Sequence, residues 1–257
     1  MSDNKIVILG GRRESTNIVY NALKDEFPIE RVVIEDPVPR FRLLRRRIKR
    51  LGFFRVVGQV LFQSIVVSYL RRKSRKRLGE IREVFGLDNS PIDKSKIVDV
   101  ESVNSDRTRA LLEETNPTVV VINGTRIIAE RILSCIRAKF INIHAGITPL
   151  YRGVHGAYWA LVENNRNACG VTVHFVDPGI DTGNIIEQAL VEPTKDDNFV
   201  TYPLLQLGTG IPLLKKAIRD VFGGRIEMKP PPEGKSRLWS HPTLFEYVRH
   251  RIRREVK

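Results

Sequence analysis

Three short, almost unbroken apolar runs limit what this chain can become. KIVIL at 5–9, RVVIE at 31–35 and TVVVI at 118–122 have the length of strands. A near-continuous run such as TVVVI belongs in a parallel sheet covered on both faces. Helical stretches lie between the strands: one from the loop GGRREST to about residue 24, one near 78–85, one over 107–115 that Asn116-Pro117 stops, and a short one over 127–133. Further strands are expected at 97–98 and 140–143. This alternation predicts an α/β fold, a doubly wound and mostly parallel sheet.

Past a helix at 157–162 the pattern changes. GVTVHFV at 170–176 alternates strictly, and another strand at 184–191 follows a DPGIDTG turn. Residues 198–222 read as one longer helix that Gly208, Gly210 and Pro212 should break or kink. The tail after the prolines at 230–232 is expected to pack back through Trp239, Phe245 and Tyr247. The 257 residues thus divide into a domain over 1–195, carrying an insert over 37–78, and a helix and tail over 196–257. Two cysteines, Cys135 and Cys169, are too few for a disulfide scaffold or a cysteine-built metal site. The opening MSDNKIVILGG runs directly into a strand pattern and has no features of a secretory signal, so a cytoplasmic protein is expected.

The net charge of +14 is local. Residues 40–77 hold fourteen Lys/Arg and no Asp or Glu, which leaves 29 basic against 29 acidic residues elsewhere. A generally basic nucleic-acid-binding surface would spread its charge differently. Two basic clusters, 40–50 and 71–77, flank LGFFRVVGQVLFQSIVVSYL, whose one charge is Arg55. Its length would suit a transmembrane helix. Its place inside an α/β pattern, its equally basic flanks and a polar stripe of Arg55, Gln59 and Gln63 at helical spacing argue against that reading. Such a helix would bury against the domain or a second copy, or lie in an anionic membrane interface with the flanking cations as anchors. The last case would leave the protein peripheral at the membrane.

The chemistry concentrates between 140 and 186. FINIHAGITPLYRG places Asn142 and His144 two residues apart at a strand end, so both side chains leave one face. In open α/β sheets, ligands bind just beyond the carboxyl ends of strands. Asp181 follows 37 residues after His144 in a GIDTG loop, where a carboxylate has no core role. The remaining histidines lack metal-ligand spacing, so no metal is expected.

Together, INIHAGITPLYRG and GVTVHFVDPGIDTGNIIEQ closely resemble the folate-dependent formyltransferases. That group includes glycinamide ribonucleotide transformylase, methionyl-tRNA formyltransferase and the amino-sugar N-formyltransferases. The resemblance covers roughly 115–190 and, in outline, 5–35. It implies a Rossmann-like formyltransferase fold, 10-formyltetrahydrofolate as co-substrate, and Asn142, His144 and Asp181 as the catalytic trio. The chemistry agrees. Formyl transfer to an amine passes through a tetrahedral intermediate whose oxyanion an amide N–H from Asn142 could stabilise. His144 could move the proton or add positive charge at that site, and Asp181 would orient it and favour its charged form.

The resemblance also implies that the pteridine lies against 123–128, which nominates Arg126, Ile127 and Ile128 as cofactor-binding residues. The loop over 177–183, with Asp177 and Gly179, would form the opposite wall, and His174 would line the pocket. Read as residues alone, Ile127 and Ile128 also suit the packing of a short helix, and His174 a hydrogen-bonded structural place. Arg152 offers a fork for a phosphate or carboxylate on the acceptor. Gly11 and Ser15 lie in a loop whose backbone could receive a phosphate, although Ser15 or Thr16 also suits a helix cap. That loop departs from the Gly-rich phosphate loop of the glycinamide ribonucleotide enzymes at Arg12, Arg13 and Glu14, which speaks against that acceptor. His155 suits a helix start or a substrate contact, and His241 a structural role.

The expected function is formyl transfer from 10-formyltetrahydrofolate to the primary amine of a small acceptor, a nucleotide- or lipid-linked amino sugar among them. Alternatives are methionyl-tRNA formylation, hydrolysis of 10-formyltetrahydrofolate, and a non-catalytic membrane or RNA adaptor acting through 40–77. The chain is expected to lack the C-terminal barrel of the tRNA enzymes and the N-terminal regulatory domain of the hydrolases. The long apolar centre of the insert is also unlike a solvated RNA-binding loop.

Overall fold

The computed structural model describes residues 4–257. β1 (Ile6–Gly11), β2 (Ile29–Glu35), β3 (Ile97–Val100), β4 (Val119–Asn123) and β5 (Lys139–His144) pair in parallel in the order β3-β2-β1-β4-β5. A short β6 (Tyr151–Gly153) leaves the sheet, and β7 (Gly170–Phe175) and β8 (Ile185–Leu190) then extend it antiparallel beyond β5. β9 (Arg237–Trp239) pairs with β6 in a separate two-stranded sheet. The helices are α1 (Glu14–Leu23), α2 (Arg40–Leu51), α3 (Phe53–Leu61), α4 (Ser68–Lys73), α5 (Arg75–Phe85), α6 (Asp106–Thr115), α7 (Glu130–Leu133), α8 (Gly156–Val162), α9 (Tyr202–Phe222) and α10 (Leu244–Arg254). A π-helical stretch, Phe62–Val67, joins α3 to α4.

Burial on both faces explains the apolar runs. Ile6 and Ile8 of β1 pack in one core with α1 and α9, while Val7 and Leu9 pack in another with α6 and α7; all four are fully buried. β4 divides in the same way, with Val119 and Val121 on one side and Val120 and Ile122 on the other. Each such side chain stabilises the fold by about 1.5–3 kcal/mol relative to exposure. The result is the doubly wound, mostly parallel sheet that the alternation predicts.

The expected break in the long helix is absent, because α9 runs unbroken through Pro212. Its glycines serve close packing instead. A Cβ on Gly210 would lie 2.6 Å from Ile143 Cδ1 and 2.8 Å from Val171 Cγ2, and one on Gly208 would lie 2.5 Å from the Phe85 ring. The helix therefore seats directly on β5 and β7, and that packing carries it past the proline, which is exposed to solvent.

A third core joins the insert to the tail. Phe62 is fully buried, with its ring 4.8 Å from Phe199 and 5.1 Å from Tyr247. The polar stripe on the insert faces the tail. Gln59 donates to the His241 carbonyl at 2.5 Å and accepts from Arg47 at 2.6 Å. Gln63 reaches His241 Nδ1 at 2.9 Å, and Arg55 pairs with Glu246 at 3.2 Å. His241 thus has the structural place expected of it, and burial holds its pKa down to about 4. In the tail, Trp239 stacks on Trp159 at 4.4 Å and Tyr247 is buried. Phe245 is 75% exposed and packs on nothing in the core, contrary to expectation. α10 turns Tyr247 and His250 inward, and Phe245, at a different angle on the helix, faces out.

Close seating of α9 predicts opposite signs for two glycine substitutions. Gly210→Val should destabilise the protein by about 1–3 kcal/mol through overpacking. Gly79→Ala, on an exposed turn of α5 where an added Cβ meets nothing within 4 Å, should stabilise by up to about 1 kcal/mol. Urea midpoints of the two variants check both.

Candidate active site

β1 lies between β2 and β4, so the chain first winds outward to β3 and then returns to the other side of β1. Such a reversal opens a crevice at the carboxyl ends of the strands. A cavity of about 430 Å³ sits there, lined by segments that follow β1, β4 and β5 and by the loop between β7 and β8. Asn142, His144, His174 and Asp181 all line it. Register explains the first three: Asn142 pairs across with His174, and His144 lies two residues further along β5.

Asp181 is brought in by the β7–β8 loop, where it adopts a left-handed conformation, φ +51°. The loop turns tightly enough that a Cβ on Gly183 would lie 1.7 Å from the Phe175 carbonyl oxygen. Asp181 Oδ1 lies 3.3 Å from His144 Nδ1 and 3.7 Å from His174 Nε2, and Oδ2 accepts the Gly153 N–H at 2.9 Å. His144 Nε2 lies 2.9 Å from the Tyr151 carbonyl. Both partners of the His144 ring are acceptors, so the surroundings favour the doubly protonated imidazolium.

The electrostatics follow from this geometry. Burial opposes charge on His144 most strongly. The hydrogen bond and charge of Asp181, with the Tyr151 carbonyl, outweigh it and raise the pKa above the ordinary 6.5. Burial likewise opposes ionisation of Asp181, yet the hydrogen bond and charge of His144 and the Gly153 N–H hold it well below the usual carboxylate range. His174 plays a different part. Its Nδ1 donates to the Phe175 carbonyl at 2.7 Å, so in the neutral ring Nε2 accepts from the Asn142 amide at 3.1 Å. One amide proton of Asn142 is thereby held in place, and the other remains for the pocket.

The remaining nominated residues separate into two groups. Arg126, Ile127, Ile128, Asp177 and Gly179 line the same cavity. Ile127 is 54% exposed at its rim, whereas Ile128 is buried in the core. Neither lies in the expected helix, because 124–129 is an irregular loop before α7. The Arg126 guanidinium is engaged by Glu35 at 2.6 Å and by two backbone carbonyls, and Asn104 clamps the Ile127 carbonyl and the Ala129 N–H. Asp177 turns inward to its own loop, accepting from Gly179 N and Thr182 Oγ1.

Arg152, Gly11 and Ser15 stand outside the cavity lining. Arg152 donates to the Ile180 carbonyl at 3.1 Å and so braces the Asp181 loop. Neither Ser15 nor Thr16 caps α1: Arg13 occupies that position, Ser15 donates to Asn123 at 2.8 Å and Thr16 donates to the Gly11 carbonyl. His155 precedes α8 without capping it, and its buried ring meets His241 at 3.1 Å. Arg13 is the residue that sequence reasoning missed. It lines the cavity and forms no ion pair with a carboxylate among the described residues. Its only signal was the departure from a Gly-rich loop.

The formyl transferase family profile matches residues 63–203, more than half of the chain and all four of the converging polar residues. The chain belongs to the formyl transferase family. A methionyl-tRNA formyltransferase of Pelotomaculum thermopropionicum is 33% identical over 126 residues, 49% of this chain and 40% of that protein. The chain therefore aligns with about two-fifths of that relative's length. Solved structures share the fold at low identity. A phosphoribosylglycinamide formyltransferase of Anaplasma phagocytophilum superposes with a TM-score of 0.57 at 16% identity, over 92% of this chain and 98% of that one. An N-formyltransferase of Helicobacter canadensis, solved with folinic acid and dTDP-3-aminofucose, gives 0.52 at 19% identity, over 92% and 70%.

The charge pair makes a pH prediction. A raised histidine pKa stabilises the fold fully below about 6.5, and that contribution is lost as pH rises through the raised value. The Asp181 contribution is present above the ordinary carboxylate range and is lost only as pH falls through its lowered value. Asp181→Asn removes what offsets burial, so the His144 ring should then titrate below 6.5 instead of above it. An NMR titration of the His144 ring resonances reads the change.

Proposed function

We propose that this formyl transferase moves a formyl group from 10-formyltetrahydrofolate to the primary amine of an acceptor, a nucleotide- or lipid-linked amino sugar being the preferred class. The observation that carries this reading is the convergence of Asn142, His144 and Asp181 on one cavity at the carboxyl ends of β4 and β5. The cavity suits a flat, hydrogen-bonding heterocycle. Residues 124–128 form one wall, Asp177, Gly179 and Ile180 the other, and Ile122, Ile127 and Val176 offer apolar contact. When bound, the folate supplies an activated formyl group on nitrogen.

The residues of the chain then have separable roles. The free amide proton of Asn142 donates to the formyl oxygen as negative charge develops there. His144 adds fixed positive charge beside it, because both of its N–H groups already donate to the protein. Asp181 keeps that charge in place, and His174 orients the Asn142 amide. Arg13, a cation at the cavity wall without a carboxylate partner among the described residues, suits a phosphate on the acceptor. Under this reading the enzyme works in the cytoplasm.

A second reading, formylation of methionyl-tRNA, is favoured by the curated relatives of that name. Hydrolysis of the folate, with water replacing the amine, is a third. Purified protein incubated with 10-formyltetrahydrofolate separates them by release of tetrahydrofolate, alone, with a panel of nucleotide- and lipid-linked amino sugars, and with charged initiator tRNA. Release that needs one amino sugar supports the proposal. Release that needs tRNA, or no acceptor, replaces it. Asn142→Ala should lower turnover by about 100–1,000-fold with the fold intact. Arg13→Ala should raise the KM for a phosphate-bearing acceptor by about 10-fold or more and leave that for the folate unchanged.

A further inference from the structure

The insert and the C-terminal helix together present a surface that the pocket does not use. α2 is amphipathic, with Phe41, Leu44 and Ile48 along one side, yet none of its residues is buried. α3 packs against it and turns its inner side, Val56, Gln59 and then Phe62, onto the domain. The outer side of the same helix carries Phe54, which is 88% exposed, Val57, Leu61 and Ile65 at helical spacing. α10 also packs against α3 and adds exposed Phe245, Val248 and Ile252. Three adjoining helices thus hold apolar side chains out from a rigid base.

The surroundings of these side chains are cationic. Residues 40–77 contain fourteen Lys/Arg and no carboxylate, and among the described residues Arg40, Arg42, Arg45, Arg46, Lys49 and Arg50 form no ion pair. α10 adds Arg249, Arg251, Arg253 and Arg254. Beside the apolar strip opens a cleft of about 750 Å³, lined among others by Tyr69, Lys73, Lys76, Lys195, Arg251 and Lys257. We propose that this face docks on an anionic phospholipid bilayer, with the phenylalanines entering the interface and the surrounding cations meeting lipid phosphates.

Physical reasons favour this occupant. A second copy of the same face would bring the unpaired Arg40, Arg42, Arg45, Arg46, Lys49 and Arg50 against the same six cations. RNA would meet the cations but leave the outward aliphatic and aromatic strip without a partner. A membrane-crossing helix over Phe53–Lys73 satisfies length and composition. Crossing would strip Gln59 of its bonds to His241 and Ser240 and pull Phe62 out of its core, so the helix lies along the interface.

Co-sedimentation of the full chain with vesicles tests the proposal. Binding to phosphatidylcholine vesicles carrying about 30 mol% phosphatidylglycerol should exceed binding to pure phosphatidylcholine by at least about 10-fold. The combined Phe53→Ser, Phe54→Ser and Phe245→Ser variant should lose about 10-fold or more of that binding at an unchanged thermal midpoint, because all three side chains are exposed. Arg45→Glu with Arg46→Glu should weaken it as well. Failure to sediment with anionic vesicles, or sedimentation indifferent to the phenylalanines, would overturn the proposal. So would a dimer, or an RNA complex, that the same substitutions abolish while vesicle binding is absent.

Discussion

Parallel pairing of β1 with β2 on one side and β4 on the other is the constraint from which the rest of the molecule follows. Parallel strands need crossovers, and crossovers lay helices on both faces, so every strand in that part of the sheet must be apolar on both sides. The reversal of winding at β1 leaves the carboxyl ends of β1 and β4 uncovered by any single connection. Loops that follow β1, β4 and β5 meet there. Antiparallel β7 and β8 then return the chain across the same edge, which places a fourth loop, with Asp181, over the gap.

Within that gap one buried carboxylate organises the polar groups. Asp181 has little access to water and stays ionised because His144 and the Gly153 N–H donate to it. The two histidines are not equivalent. His144 faces acceptors at both nitrogens and carries the charge, whereas His174 gives one proton to its own strand's end and turns a lone pair toward Asn142. Low polarity around the pair strengthens each of these contacts and would make any unpaired member costly. Rigid support comes from outside the pocket: Glu35 and Asn104 hold the loop after β4, and Arg152 holds the loop after β7.

Legibility in the sequence followed the range of the interactions. The five parallel strands were readable from short apolar runs between helical stretches, and the Asn142–His144 pair from a period of two, both properties of neighbouring residues. Residues whose role depends on a distant partner were misread. Gly208, Gly210 and Pro212 look like helix breakers until Phe85, Ile143 and Val171 are seen against the two glycines. Phe245 looks like part of the tail's packing until α10 is seen to turn Tyr247 and His250 inward instead. Arg152 looked like the acceptor's fork and Arg13 like a departure from pattern, yet the loops turn the first away from the cavity and the second into it.

What the sequence alone determined is the class of fold, the strand that presents Asn142 and His144 together and the confinement of all excess charge to 40–77, since each is written in local spacing or composition. Tertiary structure decided which polar groups meet. Asp181 reaches His144 across 37 residues only because β5 and β7 pair in one register. It also decided which side of the insert is inner and which outer. An amphipathic helix shows two faces in its sequence, but only packing against Phe199, Tyr247 and His241 determines which one the solvent keeps.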